Sequence, residues 1–184
     1  MRLRLIRHRA TPCEAVAGVD VVARRPRAGA LALTWLVAGR IGDLAMAPVA
    51  APARADGLWR HTCFEAFVAP GAGEAYFEFN FAPSAAWAAY RFSGYRADMA
   101  PADGLAAPVI EVGRSAARLD IAVRLDLGGL RDLAAGAAWR LGLAAVIEEA
   151  GGRKSYWALA HPSGAPDFHH AAGLAGRLAS PEPS

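Results

Sequence analysis

Apolar and polar residues alternate in short segments along most of the chain, and clusters of glycine and proline separate these segments. Period-two alternation is typical of β-strands, because successive strand side chains point to opposite faces of a sheet. The pattern therefore predicts mostly β structure. The ten predicted strands cover residues 2–8, 17–24, 31–38, 62–69, 75–81, 87–95, 109–113, 117–126, 138–149 and 155–160.

Ten short strands in 184 residues predict an all-β fold, a single-domain antiparallel β-sandwich. We expect residues 1–178 to form this domain and residues 179–184 to be a disordered tail. Residues 39–57 contain two prolines and little periodicity, which indicates a long loop, and residues 127–136 could form one short helix. The alanine-rich segment 84–90 is ambiguous between helix and strand, and we interpret it as strand.

The hairpin at 62–81 carries the first candidate site. If the numbers of opposed residues sum to 143, Phe64 faces Phe79 on the core side, and Glu65 faces Glu78 on the other side, next to Asn80. Two opposed carboxylates destabilise a ladder, so this pair predicts a cation, a shared proton or a ligand beside it.

Arg91 is the nearest candidate cation. An antiparallel strand at 87–95 with a register sum of 169 places Arg91 opposite Glu78. A slip of one residue would instead send Arg91 to the core face.

Three interpretations of this charged row remain open. It could be a solvated face with a neutralised ion pair, or a carboxylate pair of a glycoside hydrolase. It could also be a polar groove with aromatic rims, formed by Trp59, Phe67, Tyr76 and Tyr95, as is typical of sugar sites.

A second cluster of candidate site residues lies at residues 155–170. Tyr156 and Trp157 alternate, so one of them faces outward and is a candidate second aromatic platform. His169 and His170 are adjacent, and neighbouring residues of a regular element cannot both bind one metal ion. A loop site with His161 and Asp167 is conceivable, but we predict no metal site here.

Charge and hydropathy exclude several classes of partner and location. The formal net charge is +3 and the arginines are scattered, so we expect no nucleic-acid partner. No apolar run is long enough for a membrane helix, and the arginines among the first nine residues interrupt any signal-peptide core. We therefore expect a cytoplasmic protein without a membrane partner, with Cys13 and Cys63 both reduced.

Three sequence blocks carry a family resemblance: LWRHTCFEAFV from Leu58, YFEFNFAPSAAWAAYRFSGYR from Tyr76, and SYWALAHPSGAPDFH from Ser155. Together they resemble the DOMON-like domains of proteobacteria. These domains are related to the family-nine carbohydrate-binding modules and to the DOMON domains that bind haem. The resemblance implies a β-sandwich with a ligand pocket on or between its sheets.

The carbohydrate-binding relatives hold a sugar between two tryptophans, with a Glu and an Arg as hydrogen-bonding partners. On that resemblance, Trp59 and Glu65 correspond to the first Trp and the Glu, Arg91 to the Arg, and Trp157 to the second Trp. Haem-binding relatives use a Met and a His as axial ligands. The candidates for those ligands are Met46, Met99, His61 and His161.

The sequence thus predicts a non-catalytic module that binds a small ligand, with a carbohydrate favoured and no cofactor required. A haem-binding redox domain and a glycoside hydrolase are the alternatives. The sequence does not identify a protein partner. The predicted ligand-binding residues are Trp59, Glu65, Glu78, Asn80, Arg91, Trp157 and His161.

Overall fold

The computed structural model describes residues 1–134 and 137–181. Thirteen strands make up nearly all of its regular structure: β1 Arg2–Arg7, β2 Val16–Arg24, β3 Ala30–Gly39, β4 Ala53–Arg54, β5 Cys63–Pro70, β6 Tyr76–Phe81, β7 Ala86–Phe92, β8 Ala100–Pro101, β9 Val109–Arg114, β10 Arg118–Asp126, β11 Trp139–Glu148, β12 Lys154–Ala158 and β13 Gly176–Leu178. A short helix, α1, spans Arg131–Ala134, and 3₁₀ turns cover Ile41–Asp43, Leu58–Arg60 and Ala171–Gly173.

The strands form one curled sheet in the order β4-β7-β6-β5-β11-β12-β1-β2-β3-β10-β9, with β13 paired to β11 and β8 paired to β7. The curl folds this sheet into two layers. The back layer is β9-β10-β3-β2-β1, and the front layer runs from β4 to β12. The pairings are antiparallel except for the two-residue β4–β7 pair, so the predicted all-β sandwich is confirmed.

The core lies between the layers and is built from the inward-facing residue of each alternating pair. Trp35 of β3 is fully buried and packs against Phe64 and Phe81 of the front layer, with ring centroids 5.8 Å apart in each case. Its Nε1 donates a hydrogen bond to the carbonyl of Ala144 in β11, 3.2 Å away. This bond satisfies the one polar atom of a buried indole and links the two layers.

All ten predicted strands are present, with ends that differ by at most three residues. The strand predicted at 87–95 ends earlier, at Phe92, because the chain turns at Ser93–Ala97. Strands β4, β8 and β13 were not predicted, since two or three residues carry no periodicity. The predicted short helix is present as α1, although residues 135 and 136 of its range lie outside the described residues.

Half of the predicted tail at residues 179–184, namely residues 182–184, also lies outside the described chain. Cys13 and Cys63 are both free, as predicted. No helix in the described residues is long and apolar enough to cross a membrane.

Candidate ligand-binding site

The outer face of the front layer is covered rather than open to solvent. Every residue of β6, and every residue of β5 except the last, is buried on both faces of the sheet. The cover consists of the 3₁₀ turn Leu58–Arg60 and the segment around Phe168 and Leu174, which pack on a second apolar cluster. That cluster contains Phe67, Ala69, Tyr76, Ala88, Tyr90, Phe92, Ala144 and Ala158.

Small residues leave space beneath this cover. A single cross-strand row runs from Ala88 through Asn80, Glu65 and Ala144 to Ala158. The two polar side chains of the row are therefore flanked by alanines on both sides, which cannot fill the volume that larger side chains would occupy. The three alanines of this row, on β7, β11 and β12, thus leave room for a cavity above Glu65.

The cavity has a volume of about 350 Å³, within the size range of small-molecule sites. Its walls combine aromatic side chains with two carboxylates, an arginine and a histidine. The lining residues are Trp59, Glu65, Glu78, Phe92, Arg96, Met99, Val146, Tyr156, Pro166, Phe168 and His169.

The predicted hairpin register is wrong by two residues. Glu65 lies opposite Asn80, and Glu78 lies opposite Phe67, so the register sum is 145 instead of 143. A two-residue shift preserves the faces, because side chains alternate with period two. Phe64 is therefore in the core as predicted, while Glu65 and Glu78 share the outer face as diagonal neighbours.

The predicted position of Arg91 is also wrong. Tyr90 lies opposite Glu78, and Arg91 lies opposite Phe77 with its side chain exposed to solvent. The strand pairs with a register sum of 168, one less than predicted, so alternation turns Arg91 to the other face. Arg96, which follows the strand, lines the cavity in its place.

Trp157 and His161 lie away from the cavity. Trp157 is buried in the main core, where its Nε1 donates to Oγ of Ser155, 3.0 Å away. Its neighbour Tyr156 faces outward and lines the cavity, so Tyr156 is the aromatic side chain of this pair that a ligand can meet. His161 contacts the carbonyl of Ile6 through Nε2, 2.8 Å away, and packs edge-on against His8.

Trp59 is the most exposed aromatic side chain of the cavity wall, at 38% of its surface. Gly57 precedes it with a φ of 73°, a left-handed conformation that glycine adopts without strain. The indole packs edge-on against Tyr90, with ring centroids 6.0 Å apart. Tyr90 in turn donates a hydrogen bond to Oδ1 of Asp56, 2.6 Å away, which fixes the ring beneath the tryptophan.

Glu65 is almost completely buried, and its Oε1 has no hydrogen-bond partner. Burial raises the pKa of Glu65 well above its usual range, and the negative charge of Glu78 raises it further, while Arg96 partly opposes both effects. A buried carboxyl oxygen without a partner is costly to a folded protein. The structure therefore holds an unsatisfied hydrogen-bonding group in the wall of a cavity.

The carboxyl group of Glu78 has polar side chains beside both of its oxygens, whereas Oε1 of Glu65 has no hydrogen-bond partner. Its Oε1 accepts a hydrogen bond from Nδ2 of Asn80, 2.7 Å away, and its Oε2 lies 3.7 Å from Nε2 of His169. Burial raises the pKa of Glu78, although the Asn80 bond and Arg96 oppose the rise. Burial also lowers the pKa of His169, to about 4 with a contribution from Arg96, so the 3.7 Å contact is not an ion pair at neutral pH.

A hydrogen-bonded network fixes the cavity rim. Asp167 accepts from the Tyr95 hydroxyl at 2.6 Å, from Nη2 of Arg96 at 2.9 Å and from the backbone N–H of His169 at 3.1 Å. The Tyr76 hydroxyl shares a 2.7 Å hydrogen bond with Nδ1 of His169. These bonds join the turn after β7 to the segment after β12 across the cavity mouth.

A second cavity of about 440 Å³ lies on the other side of the Leu58–Arg60 turn. Its polar groups are already satisfied within the protein. Oε2 of Glu148 lies 2.7 Å from Nδ1 of His61, and Asp56 accepts the Tyr90 bond. The Glu65 cavity is therefore the stronger candidate site, because it alone of the two contains an unpartnered buried side-chain oxygen among the described residues.

Sequence reasoning missed Arg96 and His169 as cavity residues. Arg96 lies beyond the end of its strand, where periodicity gives no information, and it has a φ of 52° that no sequence pattern indicates. The sequence singles out His169 only as a loop histidine beside His170 and does not place it in the ligand site. Among residues 1–134 and 137–181, no three His, Cys, Asp or Glu side chains come together as a metal site.

No protein-family model matches the chain, and no curated protein sequence matches it. Among solved structures, the chain is similar to a protein of Bacteroides uniformis ATCC 8492 whose assignment as carbohydrate-binding is provisional. The TM-score is 0.66 at 12% identity, over 94% of this chain and 83% of the other. At this identity the similarity establishes the sandwich fold and leaves the ligand open.

A second solved structure is a family-nine carbohydrate-binding module from Caldicellulosiruptor kristjanssonii in complex with cellotriose. Its TM-score is 0.49 at 10% identity, over 83% of this chain and 70% of that chain. This similarity is too weak to support an argument about function.

Proposed function

We propose that the protein is a non-catalytic module that binds a carbohydrate or sugar-like ligand in the Glu65 cavity. The observation that carries this proposal is the buried and unpartnered Oε1 of Glu65, a residue that lines a cavity with aromatic walls. A sugar offers hydroxyl groups to such an oxygen and apolar ring faces to Trp59 and Tyr156. The fold similarity to the Bacteroides uniformis protein supports the same class of ligand.

Binding without catalysis fits the electrostatics of the two carboxyl groups. A glycoside hydrolase needs one protonated carboxyl group and one ionised carboxylate, so its site pushes their pKa values apart. Here burial raises the pKa of both Glu65 and Glu78, and the opposing effects of Arg96 on both groups and of Asn80 on Glu78 do not reverse the rise for either one. This argues for a hydrogen-bonding role for the pair.

Haem is the second candidate ligand, supported by Met99 in the cavity wall. The cavity histidine, His169, already uses Nδ1 in its bond to Tyr76, and its Nε2 faces Glu78. His61 and His161, the histidines suggested by the family resemblance, do not line this cavity. The geometry therefore favours a sugar over haem.

A thermal-shift screen with a panel of hexoses, hexosamines and short glucans, together with hemin, tests the proposal. A ligand that binds only the native state raises the melting temperature by mass action. We expect a sugar to stabilise the wild type, Trp59→Phe to keep most of this response and Trp59→Ala to lose it. A response to hemin alone, with a Soret band shifted from that of free hemin and changed again by Met99→Leu, would favour the haem alternative. The absence of any response to the panel would contradict sugar binding.

A further inference from the structure

The cavity wall has an unbalanced set of charges. Glu65 and Glu78 are two buried carboxyl groups, and Arg96 is the single arginine or lysine among the described residues that line the cavity. Arg96 already forms an ion pair with Asp167, 2.9 Å away, at the rim. His169 is neutral at pH 7, because burial holds its pKa at about 4. The two buried carboxyl groups therefore have no counter-ion of their own.

The unpartnered atoms beside the cavity are all hydrogen-bond acceptors. Oε1 of Glu65 and Oδ1 of Asn80 are both buried without a partner, and the two residues face each other directly across the β5–β6 ladder. Asn80 directs its donor Nδ2 to Glu78, which leaves Oδ1 unused. A ligand that satisfies this corner must bring hydrogen-bond donors.

The opposite walls are aromatic. Trp59, Phe92, Tyr156 and Phe168 line the cavity around the carboxyl groups. The faces of aromatic rings attract cations within about 6 Å, and the attraction grows when the cation is removed from water. A cationic group is therefore favoured by the rings as well as by the carboxyl groups, whereas a neutral hydroxyl can donate a hydrogen bond to a carboxyl group but brings no positive charge.

We propose that the cavity recognises an amine, with a primary ammonium group of the ligand bound beside Glu65 and Glu78. The identification of the ligand as a sugar rests on the proposed function. Together, the two proposals name an amino sugar of the hexosamine class as the preferred ligand. An ammonium group has three hydrogen-bond donors and one positive charge, so it supplies both the donors and the counter-ion that the site lacks. Bound there, it allows one of the two carboxyl groups to ionise with its charge neutralised.

Calorimetric titration at pH 7 with glucosamine, glucose and N-acetylglucosamine tests this inference. These probes differ only at one substituent, which is an ammonium group, a hydroxyl or a neutral amide. We expect glucosamine to bind about tenfold more tightly than either neutral sugar, since hydrogen bonds between charged groups are about twice as strong as neutral ones. Equal affinities, or tighter binding of glucose, would overturn the amine inference and leave sugar binding intact.

Two matched variants test whether the preference for glucosamine depends on Glu65. Glu65→Gln keeps the shape of the side chain and removes its charge, so the preference for glucosamine should fall to about twofold or less. Glu111→Gln removes a carboxylate from an exposed position on β9 and should keep the full preference. A preference that survives Glu65→Gln and Glu78→Gln would place the amine elsewhere and overturn the inference.

Cyclohexylamine and cyclohexanol separate this inference from the proposed function. They present the same contrast between an ammonium group and a hydroxyl without being sugars. If no sugar binds but cyclohexylamine binds more tightly than cyclohexanol, amine recognition is supported and the sugar function fails. If neither the sugars nor cyclohexylamine bind, both proposals are wrong.

Discussion

Asn80 donates a hydrogen bond from Nδ2 to Oε1 of Glu78, two residues away on the same strand, at 2.7 Å. This bond holds the Glu78 carboxyl group in place and fixes the orientation of the Asn80 amide. Both side chains are buried, with Asn80 at 0% exposure. The amide thus serves as a neutral spacer between two carboxyl groups, Glu78 beside it and Glu65 opposite.

Asn80→Asp should therefore destabilise the fold strongly at neutral pH. The substitution replaces the donor to Glu78 with a third buried carboxyl group, and an unpaired buried charge costs several kcal/mol. We expect the free energy of unfolding from urea denaturation to fall by about 3 kcal/mol or more at pH 7.5, with partial recovery at pH 5. Asn80→Ala, which removes the hydrogen bond without adding a charge, should cost about 1–3 kcal/mol at both pH values. Equal losses in the two variants would show that charge is unimportant at this position.

Glu65→Gln should stabilise the ligand-free protein as pH rises. The pKa of Glu65 in the folded state is raised by burial and by Glu78, so the folded state binds a proton more tightly than the unfolded chain. Its contribution to stability is full below the ordinary glutamate pKa and is lost as pH rises through the folded pKa. We expect equal urea midpoints for wild type and variant near pH 4, and a higher midpoint for the variant at pH 8. A variant less stable than wild type at pH 8 would contradict the shift.

Glu149→Gln should have the opposite effect and serves as an internal control. The pKa of Glu149 is lowered by its bond to Arg153, at 2.6 Å, and by the backbone N–H groups of Ala15 and Glu14. A lowered pKa contributes stability above the ordinary glutamate pKa, and this contribution is lost as pH falls through the folded pKa. The variant should lose about 1–3 kcal/mol at neutral pH, the value typical of hydrogen bonds to charged groups, and much less at low pH.

Arg96 and Arg91 should differ in their effect on the two buried carboxyl groups. Arg96 lowers the pKa of both Glu65 and Glu78, whereas Arg91 is exposed on the other face of β7. Arg96→Ala should lower stability by up to about 1 kcal/mol at neutral pH, because its ion pair with Asp167 is partly solvated. Arg91→Ala should stay within about 0.5 kcal/mol of wild type. A larger effect of Arg91→Ala on ligand affinity would contradict the observed register.

The two cysteines should react with alkylating agents at very different rates. Cys63 is fully buried, and burial together with the nearby Glu65 raises the pKa of its thiol well above the usual value. Cys13 is partly exposed. Iodoacetamide without reductant should modify Cys13 in the native protein and Cys63 only after denaturation, as measured by mass spectrometry. An unmodified pair after denaturation would indicate a disulfide.

The faces of the strands could be predicted from the sequence, but the registers could not. Alternation alone placed Phe64 in the core and Glu65 on the opposite face, and a two-residue error in the hairpin changed neither. The one-residue error at Arg91 reversed its face, because nothing local distinguishes a register sum of 168 from 169. The turn PGAG was too permissive to fix the hairpin length.

Local sequence patterns could not predict which segments cover the outer face of the front layer. Phe168 and His169 reach Glu78 from about 90 residues away in the chain, and that contact depends on the topology of the whole sheet. A solvated outer face for β5 and β6 is one of the three interpretations that the sequence leaves open, and it is wrong because both faces of these strands are buried. The available signal was the run at residues 63–69, which is apolar except for Glu65 and is typical of a strand that is buried on both faces.

The central claim is that a ligand satisfies the carboxyl groups of Glu65 and Glu78. Carbon-13 NMR of the glutamate side-chain carboxyl carbons, titrated with glucosamine and with glucose at pH 7, tests it most directly. We predict saturable shifts of the Glu65 and Glu78 signals, assigned through Glu65→Gln and Glu78→Gln, with the Glu111 and Glu148 signals unchanged. Saturable shifts at other glutamates only, or no shift with either sugar, would contradict the assignment of this cavity as the binding site.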